Sequence, residues 1–357
     1  QTCALPIYYA DLSAFGVSLR GNQAAVGDAL NALRPVAGQR VSEAVTRELR
    51  TLFPLSPGAM PQVMNRLGGT VYGDALVSAA SSSRMFGDAI AGRTTERSSV
   101  SSADGRYTSW ISGSGASSRI GADGNTGYKT SGGGVAVGAE TRANGEIRFG
   151  GAIGYDGMRV SSNDTASSAR MDNTHAAAYG AWERGRYSVT GHAGASFSEM
   201  RIKRNLGVFQ TEAKGHGSGF GAMAGLEAKA SYDLAGFRVQ PAVGLQLDTA
   251  SRGGLTETGA GALSLRTEDG DVASLRGTLG FRVERSFRLA EGWGLAPALR
   301  VRYSHEFADD GTSTDAAFVG GSGSRFRQTS AHLGRDGGDL QLGLNLSTPS
   351  GVSSFVN

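Results

Sequence analysis

The chain has 357 residues, enough for one large domain or two ordinary ones, and its 35 basic and 32 acidic residues leave a formal charge of +3. So small a basic excess argues against a dedicated nucleic-acid binder, which would gather Lys and Arg on one face. The sole cysteine, Cys3, excludes an intrachain disulfide and any cysteine-based metal site, and 55 glycines beside 8 prolines exclude both a Pro-rich tract and a collagen-like repeat.

At the start, Gln1–Ile7 lacks the charged n-region and apolar core of a secretory signal. It fits nothing that follows, and residues 1–7 are taken as a non-native or artefactual N-terminus. Up to about Arg93 the pattern is helical, in pieces. Asn22 is placed to cap a helix carrying Val26, Leu30 and Leu33 on one face, ending before Pro35. Val45, Leu49 and Leu52 mark a second piece by their helical spacing. Ser56-Pro57 opens a third, which Gly68-Gly69 closes, and Thr70 to about Ile90 forms a fourth, rich in Ala and Ser. Ser-rich residues 98–103 make a linker.

From Tyr107 the period changes from 3.6 to 2. Phe237, Val239, Pro241, Val243, Leu245 and Leu247 alternate with Arg238, Gln240, Ala242, Gly244, Gln246 and Asp248. The segments 273–288, 293–307 and 338–348 alternate as clearly, and 146–161, 186–202 and 215–232 more weakly. With 107–121, 128–142, 172–184 and 237–250 they make ten strands, and an eleventh begins near Gly351. Each is at or above the ~9–11 residues that cross a bilayer as tilted strands. Mid-strand Arg and Glu opposite the apolar face suit a wet lumen better than the solvent face of a sandwich. The connections alternate as well. Short turns at Ala143-Asn144-Gly145, Glu183-Arg184-Gly185, Asp233–Gly236, Leu289–Gly292 and Thr348–Ser350 are separated by polar loops at about 161–172, 202–216, 249–272 and 308–335. Short turns at one end and long loops at the other are the mark of an outer-membrane barrel. No apolar run approaches the ~18 residues of a membrane helix, so crossing would be by strands.

Three stretches carry a family resemblance. Asn22–Leu30 is similar to a helix that follows the β-helical passenger stem of autotransporters (type V secretion). Leu67-Gly68-Gly69-Thr70-Val71-Tyr72, followed by Ser83-Arg84-Met85-Phe86, resembles the L-S-G-E-x-Y…S-x-R-F stretch before their barrel. Arg302–Phe307 followed by Leu333-Gly334-Arg335-Asp336 matches the late strands. The resemblance runs from about Ala10 to the end. It implies a mostly β chain: a transmembrane antiparallel β-barrel of the 12-strand autotransporter type, preceded by an α-helical segment. The division it suggests is 8–21 as the end of a passenger stem, 22–103 as helical junction, lumen helix and linker, and 104–357 as barrel. The family's final strand and its terminal aromatic residue are missing from this sequence, which would leave the first strand unpartnered.

The expected function is that of a translocator domain in the bacterial outer membrane, enabling surface export of an N-terminal passenger. The alternative is a freestanding porin or adhesin barrel that binds through its loops. Expected partners are outer-membrane lipids and lipopolysaccharide, the chain's own passenger segment in the lumen, and the barrel assembly machinery; nucleic acid is not among them. By the resemblance the fourth helix threads the lumen, with Leu76, Ala79, Ser82, Ser83 and Phe86 its contact residues. By alternation Arg238, Asp248, Arg276, Arg282, Glu284, Arg300, Arg302 and Glu306 face inward, where polar groups need partners.

No enzymatic activity, cofactor or metal is expected. The five histidines lack metal spacing. Gly27-Asp28-Ala29-Leu30 and Gly73-Asp74-Ala75-Leu76 look like an esterase G-D-S-L motif with Ala in place of the nucleophile. Gly215–Gly221 has no P-loop lysine, and its small residues suit close approach by a neighbour. The acidic loops at Glu268–Asp271 and Asp309–Gly311 lack EF-hand spacing. Residues 57–106 contain Asn65 but no Asn-Asn pair at which some autotransporters cleave themselves.

Overall fold

The computed structural model describes residues 19–33, 43–52, 54–92, 100–101, 107–289, 293–321, 324–347 and 353–356. Four helices come first: α1 (Gly21–Ala32), α2 (Glu43–Arg50), α3 (Met60–Leu67) and α4 (Thr70–Gly92). Among the described residues eleven principal strands follow: β1 (Tyr107–Ile120), β2 (Tyr128–Arg142), β3 (Ile147–Ser162), β4 (Ser168–Arg184), β5 (Tyr187–Asn205), β6 (Glu212–Ala230), β7 (Phe237–Arg252), β8 (Gly270–Glu284), β9 (Gly294–Glu306), β10 (Asp336–Ser347) and β11 (Ser353–Val356). Each pairs antiparallel with the next. Val100–Ser101 adds a two-residue strand on the outer edge of β1, opposite Ser109 and Thr108, so the edge expected to be bare is covered there. Residues 1–18, which hold the expected artefactual start and almost all of the expected stem, most of the Ser-rich linker and the Thr348–Ser350 turn lie outside the described residues.

Sequence chemistry explains the short turns. Asn144 Oδ1 accepts from the backbone N–H groups of Glu146 and Ile147, at 2.9 and 2.8 Å, closing the β2–β3 turn with a side chain. Between Leu234 and Phe237, Ala235 and Gly236 both take positive φ (51° and 80°), the signature of a two-residue hairpin whose twist matches its strands.

Flat, eleven strands spaced ~4.8 Å apart would span about 50 Å. A helix ~10 Å across could then touch two or three of them. In fact α4 touches every strand from β1 to β8, and its Asp88 reaches Arg302 on β9, so the sheet curls around it. The outward face carries Ile111, Ile153, Leu226, Val243, Leu245, Leu279, Leu340 and Leu342, each at least half exposed. An exposed apolar band of this extent is foreign to a water-facing surface and is the lipid-facing belt of a transmembrane barrel. Aromatic residues edge it: Phe149, Trp182, Tyr187, Phe237 and Trp293 toward the short turns, and Tyr155, Phe197, Phe220 and Tyr303 toward the loops. Among the described residues no helix is long and apolar enough to cross a membrane.

Two long connections, expected as irregular polar loops, contain a second sheet. Leu255–Thr256, Leu265–Thr267, Ser313–Phe318 and Arg325–Thr329 pair in that order. Its inward residues Leu265, Ala316, Phe318 and Phe326 pack with Val26, Leu30, Val45, Leu49, Met60, Met64 and Leu67 of α1–α3. Helices of 8–12 residues are marginal alone; here their apolar stripes find this sheet. Asn22, expected as a cap, sits inside α1. Its amide bonds both backbone groups of Thr329, donating to the carbonyl at 2.7 Å and accepting from the N–H at 2.8 Å.

Candidate functional site: the wall around the inner helix

Along its length α4 meets two kinds of surface. Toward the loops, Val71, Tyr72, Ala75, Leu76 and Val77 pack against inward-facing Met158, Val160, Met171, Met200, Ile202 and Val272. At this end lies a fully buried ionic hub that the sequence did not reveal. Arg204 of β5 pairs with Glu257 through two bonds, at 3.0 and 2.5 Å. Its remaining N–H groups donate to the carbonyls of Leu67 and Leu263 at 3.0 and 2.9 Å. Glu257 also accepts from the Tyr72 hydroxyl at 2.9 Å and the Leu265 N–H at 2.7 Å. A buried ion pair is tolerable only when so completely hydrogen-bonded. This one joins the end of α3, the start of α4, β5 and the loop sheet. Gly215 leaves room for it: a Cβ there would stand 2.5 Å from the Tyr72 hydroxyl.

Two residues beyond Tyr72, Asp74 is fully buried with neither carboxylate oxygen in a hydrogen bond. Beyond it the contacts become polar. Ser82 donates to Asp156 at 2.6 Å and lies 3.1 Å from His175 Nε2, which is itself 2.7 Å from Asp156. Asn173 donates to the other Asp156 oxygen at 2.8 Å. Ser83 meets Ser196 at 3.0 Å. Arg84 reaches Asp248 at 3.3 Å and Ser274 at 2.9 Å. Phe86 stacks on His175, centroids 5.0 Å apart, in a slot opened by Gly154, where a Cβ would stand 2.6 Å from the ring. Below, Phe86 and Ile90 rest on Trp110, Tyr179 and Met223. Asp88 holds Arg302 at 3.0 and 3.4 Å.

Ser82, His175 and Asp156 are not a hydrolytic triad. Hydroxyl and carboxylate share the same imidazole nitrogen, so the acid cannot orient the ring from the opposite side as nucleophile activation requires. Among the described residues no cluster of three or more His, Cys, Asp or Glu is arranged to hold a metal ion. The acidic loops are tied down by protein groups. Asp269 accepts from Gly254 N–H at 2.6 Å, Glu268 pairs with Arg325, and Asp310 pairs with His332 at 3.0 Å. The two Gly-Asp-Ala-Leu stretches are helical.

The eight charged positions separate into groups. Asp248 and Arg302 touch α4 directly. Glu306 accepts from Ser274 at 2.6 Å and lies 3.6 Å from Arg276, one bond removed from Arg84. Arg282 and Arg300 lie past the helix with Glu227 and Lys229 around a small cavity; Arg282 donates to Glu284 at 2.8 Å and Arg300 to Glu227 at 2.9 Å. Arg238 stands at the exposed rim, 3.6 Å from Asp233. On the helix, Leu76, Ala79, Ser82, Ser83 and Phe86 are all buried. Asp156, His175 and Ser196, the main wall partners of α4, were missed. Their inward parity was legible and so was the helix, but no local pattern gives the register that sets Ser82 and Ser83 opposite them.

An apolar outside, a charged inside and a helix held along that inside define a transport barrel with an internal occupant. Residues 109–357 match the family described as "Autotransporter beta-domain", and the chain belongs to that family. Among solved structures it is similar to the translocator domain of the autotransporter NalP from Neisseria meningitidis, at 15% identity and a TM-score of 0.57, covering 81% of this chain and 96% of that one. It is also similar to the β-domain of the Bordetella autotransporter BrkA, at 16% identity and a TM-score of 0.52, covering 68% and 87%. At such identities these likenesses establish the fold, a 12-strand-type autotransporter barrel preceded by helices. A comparison with curated proteins finds no match.

Proposed function

We propose that this chain anchors in the bacterial outer membrane and brings an N-terminal passenger to the cell surface, with α4 the part of the exported segment that stays in the lumen. One observation carries this reading. The start of α4 lies among the long loops and its end points toward the short-turn rim, where β1 begins. Whatever precedes α4 therefore emerges on the loop side. On this reading residues 22–103 are junction, lumen helix and linker, 104–357 are barrel, and 8–21 end the passenger stem.

Of the eight inward charges, Asp248 and Arg302 hold the segment and the others form the polar wall beside and beyond it, while the five helix residues are its contacts. Lipid meets the apolar belt, and the barrel assembly machinery inserts the domain. The work is positional, with no bond made or broken, so the domain is not an enzyme. A freestanding porin fits less well, because a helix occupies the space through which solutes would pass.

The test places an epitope before Gly21, exports the chain behind a signal peptide, and treats intact cells with protease. The epitope should disappear while a periplasmic marker survives, and the barrel should migrate faster in detergent gels unboiled than boiled. A protected epitope on a heat-modifiable barrel would overturn the proposed direction. A species unchanged by boiling would overturn the membrane barrel.

A further inference from the structure

On the outer wall, beyond the aromatic edge of the belt, basic side chains stand beside one another on neighbouring strands. Arg159 on β3 is directly opposite Arg170 on β4, which is opposite Arg201 on β5, which is opposite His216 on β6. In the next outward row Arg119 faces Lys129, and Lys203 faces Lys214. All of these cations are exposed and on the outward face. Like charges directly opposite in a ladder are destabilising, yet here three arginines stand in line.

Protein carboxylates answer only part of this charge. Arg201 has Asp172 at 3.1 Å and Glu199 at 3.7 Å; Lys203 and Lys214 share Glu212 at 3.5 and 3.9 Å. Arg119, Lys129, Arg159 and Arg170 have no acidic partner among the described residues. The band is one-sided. At the same end of β7 and β8 the outward positions are Thr249, Ser251, Asp271 and Ala273.

Position narrows the occupant. Arg159 and Arg201 each lie four residues beyond an aromatic residue of the belt edge, Tyr155 and Phe197. That is about 13 Å along the strand at ~3.3 Å per residue, or roughly 10 Å of height at the usual barrel tilt of ~35–45°. This is the level of lipid headgroups on the loop side. Guanidinium forks in a row suit phosphate oxygens, which accept bidentate bonds.

We infer that the outer face of β1–β6 is a binding site for a phosphorylated glycolipid of the outer leaflet, of lipid A chemistry, its acyl chains on the apolar belt and its phosphates on the Arg159–Arg170–Arg201 ladder. The inference rests on the proposed orientation, loops outward. The test refolds the full chain into phosphatidylcholine vesicles carrying phosphorylated lipid A or the same lipid dephosphorylated, then measures the glycolipid that stays with the protein after mild detergent extraction. The phosphorylated lipid should be retained roughly tenfold better, equivalent to about 1.4 kcal/mol. The triple variant Arg159→Ser, Arg170→Ser, Arg201→Ser should lose that preference while keeping its heat-modifiable migration. Equal retention of the two lipids, or a preference that survives in the variant, overturns the site. Failure to insert into plain phosphatidylcholine is a separate result that brings down the membrane reading as well.

Discussion

The two halves of β5 are built to opposite rules. From Tyr187 to Ser198 the outward positions include Val189 and Phe197, while His192, Ser196 and Ser198 point inward. From Glu199 to Lys203 the outward residues are Glu199, Arg201 and Lys203, and Met200 and Ile202 point inward. β3 inverts likewise, from Ile153 outside and Asp156 inside to Arg159 outside and Val160 inside. The helix opposite follows the change, with Ser82 and Ser83 against the polar stretch and Val71 and Leu76 against the apolar one. Lipid outside and a wet lumen inside select one pattern; water outside and a packed helix inside select its inverse. The loop half is thus an ordinary protein core, and the belt half a set of separate polar contacts.

That comparison can be tested by how much each half loses when one contact is removed. The largest loss should follow Glu257→Ala, which strands Arg204 in a dry interior. A broken buried pair costs about 3–5 kcal/mol, and α1–α3 should become open to limited proteolysis while the barrel keeps its heat-modifiable shift. Leu76→Ala should cost about 2–5 kcal/mol as a core cavity, read as faster amide exchange in the first turns of α4. Asp74→Leu should act in the opposite direction. Replacing a buried, unpartnered polar group in the packed half by an apolar one of similar shape should gain roughly 1–3 kcal/mol, seen as slower exchange in the same turns. Ser82→Ala, in the polar half, should cost only about 1 kcal/mol, because Asp156 keeps His175 and Asn173. A Ser82 loss as large as that of Leu76 would erase the distinction between the halves.

The smallest effect concerns the loop hairpin. Arg327 donates to Asp315 at 2.9 and 2.8 Å and holds its carboxyl below the usual range. A depressed carboxyl contributes stability above its unfolded pKa and loses it as pH falls through the folded one. Acidification should therefore loosen exchange in Arg325–Thr329 slightly, and Asp315→Asn should remove that dependence.

Much of the barrel was legible because lipid enforces alternation: β2 was placed at 128–142, β1 at 107–121 and β9 at 293–307, all within a residue of the structure. Most of the errors fall at the loop ends; the largest exception is β8, carried to 288 where it ends at Glu284. β4 was begun at 172 and starts at Ser168, β5 was ended at 202 and continues to Asn205, and β8 was begun at 273 and starts at Gly270. Those extensions lie where the wall leaves the bilayer and the inside–outside preference reverses, so a pattern followed from the belt ends early. The short strands of the loop sheet, two to six residues long, carry too little periodicity to be separated from loop. The Arg204–Glu257–Tyr72 hub escaped for another reason. Its members stand 53 and 185 residues apart in the chain, and no local spacing announces them.

The grip of Asn22 on Thr329 has a mechanical consequence. Tension on a passenger would enter the domain at the start of α1, where the two Asn22–Thr329 bonds and the Gln328 amide, which donates to the Asn22 carbonyl at 3.1 Å, share the load. Bonds loaded in parallel share the force, so on the proposed orientation a pull on the chain before α1 would strain the loop hairpin before the inner helix.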